Sequence, residues 1–356
     1  ARLTANIKLG DGEWVPIGYK DNEQYSYKGT FDGSYYTISN INLMSLTENE
    51  CTYRGLFGYI YGGTVTKLSV KTSDFGAFGG DKKLLYSGLL AAHNYGGNIS
   101  LCSATITKIY NVGPVGLLVY DNLGEIENCY AFLGETNKTS VSDASGLVYN
   151  NLDKITNCYF KSTSSTFTYT DNYAIAANQT GGTITNCYYY STDTSTNKYK
   201  DDGANIVAKS RDSLSSGELI WLLNNGQNSQ TNNTSPWRYL NDVLPSLDPR
   251  HKHVTRNENG NTYTINTEKP HVHMDNGEPI EFTEITDLSD INENSIPNAT
   301  NYFCLKNDIV LNNTWNVPYT KNIVLCMNGH DITKGDSFSG DTAISTNETE
   351  NLHKKL

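Results

Sequence analysis

Between residues 116 and 190 the apolar positions recur in one phrase written three times. Gly116-Leu-Leu-Val-Tyr120, Gly146-Leu-Val-Tyr149 and Ala174-Ile-Ala-Ala177 each lead, a few residues later, to Ile126, Ile155 or Ile184. An Asn-Cys-Tyr triplet closes each phrase, starting at Asn128, Asn157 and Asn186, so the period is 29 both times. Units of this length bury their apolar faces only against one another. They are too short, and too rich in Gly, Asn, Thr and Tyr, to be helix pairs. Alternation of apolar and polar residues over short runs predicts strands. Ile126, Ile155 and Ile184 face inward, as do Cys129, Cys158 and Cys187, and then Ala131, Phe160 and Tyr189. The break in alternation falls at Asn128, Asn157 and Asn186. Asn tolerates unusual backbone angles and can bond its stacked copies through side-chain amides, which predicts a bend there. Tyr130, Tyr159 and Tyr188 then point outward as a column of exposed rings. Which of Leu117 and Leu118 faces inward stays open.

The pattern weakens on both sides of this stretch. Leu3 to Leu9 alternates like a strand; Asp11-Gly12 and Asp32-Gly33 signal turns. Ile38, Ile41 and Leu43 face inward around a bend at Asn40. Gly55 to Val70 repeats the phrase, with Val65, Leu68 and Val70 at the inward positions, and Gly88 to Ile99 repeats its first half. Insertions bulge around 47–52 and 73–84. Leu219, Ile220, Leu222 and Leu223 sit on one side of a short amphipathic helix with its N-cap at Ser215 or Ser216. The domain reading is a β-solenoid over 1–204 with repeats of about 29 residues, a helix-containing cap over 205–248, a polar His-containing linker over 249–280, and the start of a second module over 281–356. There, Leu305 to Leu311 followed by Trp315 and Pro318 echoes Leu3 to Leu9 followed by Trp14 and Pro16.

Residues 55–70 resemble the GLUG-type repeat of bacterial surface proteins. Trp14-Val-Pro-Ile-Gly18 and the run from Gly29 to Leu43 resemble the opening turns of those proteins. The resemblance covers roughly the first 250 residues. It implies an all-β chain folded as a right-handed parallel β-helix, a short helical C-terminal cap, and an extracellular or bacterial cell-surface location. It says little of activity, because one fold hosts many functions.

Composition narrows the function. Charged residues make up 18% of the chain, and 25 Tyr argue against disorder. A net charge of −11 disfavours nucleic acid and anionic membranes as partners. No run of about 18 apolar residues is present, so nothing is expected to insert in a membrane. The chain reads as a monomeric fragment of a larger protein. Of the seven Cys, Cys129, Cys158 and Cys187 are expected in an inward column of apolar thiols, and Cys304 and Cys326, in inward strands, as free thiols. His251, His253, His271 and His273 form two His-x-His pairs, here read as linker histidines; no metal and no cofactor is expected. Hydrolysis of glycosides needs two carboxylates facing each other, but Asp121, Glu125, Glu127, Glu135, Asp143, Asp153 and Asp171 are scattered, with Asp121 and Asp153 in similar turns. No nucleophile triad, phosphate loop or dinucleotide fingerprint occurs. The expected function is therefore not enzymatic. It is adhesin-like binding of a host or environmental protein or glycan, through the Tyr130, Tyr159 and Tyr188 column. The alternatives are an accessory β-helix of a carbohydrate-active or proteolytic surface enzyme, and a passive stalk.

Overall fold

The structure is a computed structural model. It describes all residues except 19–22, 44–53, 77–85, 111–113, 135–140, 142, 165–166, 197, 230–234, 242–243, 258–259, 261, 267–272, 276–277, 281, 292–300, 319–322, 328–329 and 347–356. The expected insertion at 47–52, most of that at 73–84, and Glu135 and His271 lie outside the described residues, as does the side chain of His273. The chain forms two compact units, residues 1–248 with 253–265, and residues 249–252 with 266–356.

The first unit is built of parallel strands contributed by successive repeats. Lys154–Thr156 is polar–aliphatic–polar, and it pairs in register with Val119–Glu127 on one side and Thr183–Thr185 on the other. Ile126, Ile155 and Ile184 thereby fall in one file, 29 residues apart, continued upward by Ile99, Val65 and Phe31. In this first sheet every side chain of that file is buried. A second sheet of eight strands runs from Ile7–Lys8 through Tyr130–Leu133 and Tyr159–Ser162 to Ile206–Lys209. Its inward file is Ile38, Val70, Ala104, Ala131, Phe160, Tyr189 and Ala208. A short third ladder joins Val115–Gly116 to Ala144–Ser145. Leu117 and Leu118 are both fully buried, so the expected choice between them does not arise.

Between the two large sheets the backbone turns through a left-handed residue. Asn128, Asn157 and Asn186 have φ of 52°, 54° and 54°. Lys67 and Leu101 hold the same place in earlier repeats at 54° and 56°. Asn adopts this conformation at less cost than Lys or Leu, and Asn186 also donates from Nδ2 to Asn157 Oδ1 at 2.8 Å. The residue after the bend forms the sulfur column. It contains Cys102 as well as Cys129, Cys158 and Cys187, all fully buried and free. The Cys102 amide donates to Cys129 Sγ at 3.4 Å. Burial pushes the thiols of Cys102 and Cys158 well above their ordinary range, so these are neutral, apolar core groups.

The expected single helix is two. α1 spans Arg211–Ser215 and α2 spans Glu218–Leu223. The N-cap of α1 is Ser210, whose side chain accepts from the Ser213 amide; Ser216 is its C-cap and Gly217, at φ 88°, starts α2. This corrects the expected cap at Ser215 or Ser216: a left-handed glycine, close against Val254, breaks the run before the apolar stripe begins. Leu219, Ile220 and Leu223 are buried as the pattern requires. The strand His253–Arg256 pairs with Tyr263–Asn266, and Tyr263 packs on Trp221 at 5.9 Å.

The second unit repeats the parallel style. Thr283–Ile285, Asn301–Leu305 and Ile323–Cys326 pair in parallel, as do Ile309–Val317 and Ile332–Thr346. Its core is Ile285, Leu288, Ile291, Phe303, Leu305, Ile309 and Leu311. Cys304 and Cys326 are register partners and form no disulfide. Burial first, then the neighbouring sulfur, pushes Cys304 up to about 11.

Candidate binding face

The tyrosine column expected to be exposed is covered. Tyr130, Tyr159 and Tyr188 do turn away from the main core, but onto a second cluster that contains Leu101, Leu219, Ile220, Leu223 and Trp237. Tyr159 is 1% and Tyr188 9% exposed, and Tyr130 is half-buried. Burial pushes the Tyr188 hydroxyl up to about 12. The physical reason is the apolar stripe of α2, which needs a partner surface and finds it in these rings. Three contacts fix it there. Trp237 Nε1 donates to Asn128 Oδ1 at 3.1 Å, Asn186 Nδ2 donates to the Leu222 carbonyl at 2.8 Å, and Lys209 pairs with Glu218 at 3.0 Å. The two helices and Trp237 therefore lie along the flank of the second sheet, over the expected binding column.

The outer face of the first sheet is partly open, with Tyr61, Tyr95 and Leu152 exposed and Tyr59 buried. Register aligns Tyr59, His93, Asp121, Asn150 and Asn178 in one outward file. The imidazole of His93 stacks on Tyr59, with centroids 4.5 Å apart, and its Nδ1 lies 3.0 Å from Asp121 Oδ2. Asn150 donates from Nδ2 to Asp121 Oδ1, and Asn178 donates to Asn150 Oδ1 at 2.8 Å. The file is thus a hydrogen-bonded chain that starts half-buried at His93 and ends exposed at Asn178. Burial outweighs the Asn150 bond and pushes the Asp121 carboxyl up to about 6. Beside Asp121, Tyr120 stacks on Tyr149 at 5.3 Å, and the Tyr149 hydroxyl donates to Asp143 Oδ2 at 3.0 Å.

Two residues further along each strand runs an apolar stripe: Tyr61, Tyr95, Leu123 and, 29 residues on, Leu152. Tyr61, Tyr95 and Leu152 are 37%, 49% and 42% exposed. The two rings stack with centroids 4.9 Å apart and planes within 10°, which is the strand spacing. Their flat faces are therefore spent on each other, and their edges and hydroxyls point outward. The surface offers apolar edge, hydroxyl and amide side by side, with opposite charges at Glu125 and Lys154 3.7 Å apart. Such a mixture suits adaptable hydrogen bonding around apolar contacts.

The catalytic alternatives gain little geometry. Asp121 belongs to a strand and Asp153 to a bend, so the expected likeness of their turns is corrected by one repeat's change of register chemistry: Asn150 aligns with Asp121. Among the described residues no group of three or more His, Cys, Asp or Glu is placed to hold a metal ion. His253 is half-buried, with Nδ1 3.3 Å from the Ser229 carbonyl. Among them, too, no helix is long and apolar enough to cross a membrane. The outward files were legible in the sequence by aligning 120–123 with 149–152 at the 29-residue offset, a comparison that the more regular Asn-Cys-Tyr triplets overshadowed. Compared with protein-family models, with curated proteins and with solved structures, the chain shows no match.

Proposed function

We propose that the first unit is a right-handed parallel β-helix of the GLUG-repeat type and part of a bacterial cell-surface or secreted adhesin-like protein, which binds a host or environmental protein or glycan through the outer face of its first sheet. The observation that carries this reading is the exposed Tyr61, Tyr95 and Leu152 stripe beside the hydrogen-bonded His93 to Asn178 file. Exposed aromatic and aliphatic groups arranged in a flat row are costly to leave in water, and such patches favour a partner. The in-register pairing at a 29-residue step supports the helical winding, since each repeat then rests directly on the one before. The test is a glycan and serum-protein array probed with the whole chain. Saturable binding is expected, weakened at least about tenfold by Tyr95→Ala and unaffected by Lys306→Ala in the second unit. Absence of any saturable ligand would favour the passive stalk.

The accessory-enzyme reading has one observation on its side. A half-buried His–Asp pair, with the carboxyl raised to about 6, has the proton affinity of a general acid or base near neutrality. Turnover of an array-positive glycan, abolished by Asp121→Asn while binding persists, would establish it.

A further inference from the structure

The two large sheets do not end together. The second sheet carries one more strand, Ile206–Lys209, beyond Cys187–Tyr190. Among the described residues, the last segments of the first sheet, Ala176–Gln179 and Thr183–Thr185, pair with a strand on one side only. The chain closes part of this step itself. The Asp201 carboxylate accepts the amides of Ala174, Ile175 and Ala176 at 2.7, 2.7 and 3.0 Å. It does not reach Thr183–Thr185. Beside that edge lies a groove of about 460 Å³, bounded by Thr183, Ile184 and Thr185 on one wall and by Gly203, Ala204 and Asn205 on the other. A parallel strand bonds through alternate residues to its two neighbours. Thr183 and Thr185 turn toward the previous repeat: the Thr183 amide donates to Asp153, and the Thr185 carbonyl accepts from Asn157. The Ile184 amide and carbonyl therefore point at the groove.

The ladder also states what would fit. Five successive tripeptides at this level are Thr64-Val-Thr66, Asn98-Ile-Ser100, Glu125-Ile-Glu127, Lys154-Ile-Thr156 and Thr183-Ile-Thr185. Each sets one aliphatic residue over the last, between two polar ones. We infer that the open edge at Thr183–Thr185 accepts one extended strand of a partner protein, added in parallel, with an aliphatic residue between two polar residues. The main-chain hydrogen bonds would supply affinity, and the aliphatic file its register. An exposed edge of this kind otherwise invites indiscriminate pairing; here Gly203, Ala204 and Asn205 also line the groove beside it.

The probe is a fluorescent, end-blocked peptide with the sequence of residues 150–157 of this chain, titrated into the whole protein and read by anisotropy. Saturable binding below about 1 mM is expected, with slowed hydrogen exchange at the Ile184 amide. The same peptide carrying Thr156→Pro is expected to bind at least about tenfold more weakly, because the residue after the aliphatic one donates to the Ile184 carbonyl in this register and proline cannot donate. Ala204→Trp fills the groove from an exposed position and is expected to abolish binding with the thermal transition unchanged. Tyr95→Ala, on the outer face, is expected to leave peptide binding intact, which separates this edge from the binding face. The inference is overturned by no binding up to that concentration, by equal binding of the proline peptide, or by unchanged Ile184 exchange in the bound state. It is also overturned if the unliganded chain self-associates and Ala204→Trp dissolves the assembly, since the edge would then belong to a second copy.

Discussion

Asn122 offers a quantitative test of the stacked register. Its side chain is fully buried inside the first unit, in a file with Asn94 and Asn151. Its Nδ2 donates to Asn151 Oδ1 at 2.9 Å and to the Lys154 carbonyl at 3.3 Å. Its Oδ1 accepts from Asn94 Nδ2 at 2.9 Å and from the Gly124 amide at 3.3 Å. Asn122→Ala strips Asn151 Oδ1 and the Gly124 amide of these partners, whereas Asn94 Nδ2 keeps the Gly97 carbonyl at 3.2 Å. Leaving a buried polar atom unsatisfied costs about 1–3 kcal/mol, so two predict a loss of about 2–6 kcal/mol. In urea, followed by tryptophan fluorescence, that lowers the midpoint by roughly 1 M at constant slope. Asn151→Ala in the Asn122→Ala background should cost less than alone, by about 0.5–3 kcal/mol, because the orphaned oxygen is removed with it. Asn178→Ala, at the exposed end of the outer file, should stay within about 0.5 kcal/mol. A buried change as mild as the exposed one, or strict additivity of the pair, would show that the amides do not bond from repeat to repeat.

The Asp121 carboxyl, raised by burial to about 6, holds its proton longer in the folded chain than in the unfolded one. Its contribution is therefore full below the unfolded value and disappears as pH rises through about 6. Relative to Asp121→Asn, the parent should lose on the order of 2 kcal/mol between pH 4 and pH 7 in urea unfolding; parallel profiles would refute the burial argument. Trp237→Ala removes a fully buried ring and the bond to Asn128, at a cost of about 3–5 kcal/mol. Hydrogen exchange should quicken in α1 and α2 while the Ile126 and Ile155 amides keep their protection, and unaltered exchange in the helices would mean that Trp237 does not hold them.

The inward half of the first unit was legible because it is written in a repeat. Ile126, Ile155, Ile184 and the three sulfurs recur at one interval, and each must sit on its own copy if the apolar atoms are to leave water. The bend was legible for a related reason: alternation fails at Asn128, Asn157 and Asn186, and Asn is a residue that accepts positive φ. Cys102 escaped because its repeat carries Leu101 at the bend in place of Asn, so the triplet that marks the others is missing. The break between α1 and α2 was hidden by Gly217, which reads in sequence as a weak helical residue and acts in the fold as a left-handed junction.

That the expected column is covered has a deeper cause. Periodicity tells which side chains point away from the local core, but an outward residue is not yet an exposed one. What covers Tyr159 and Tyr188 comes from α2 and Trp237, and the bond that joins Trp237 to Asn128 spans 109 residues. No repeat encodes such a contact. Its only trace in the sequence is the apolar stripe of α2, because a stripe implies a surface on which to lie. The rings of the second sheet give it an apolar partner, whereas the first sheet's outer file holds His93, Asp121, Asn150 and Asn178, which bond among themselves. The polar file thus interrupts the apolar surface of the first sheet, and Tyr61, Tyr95 and Leu152 beside it stay exposed.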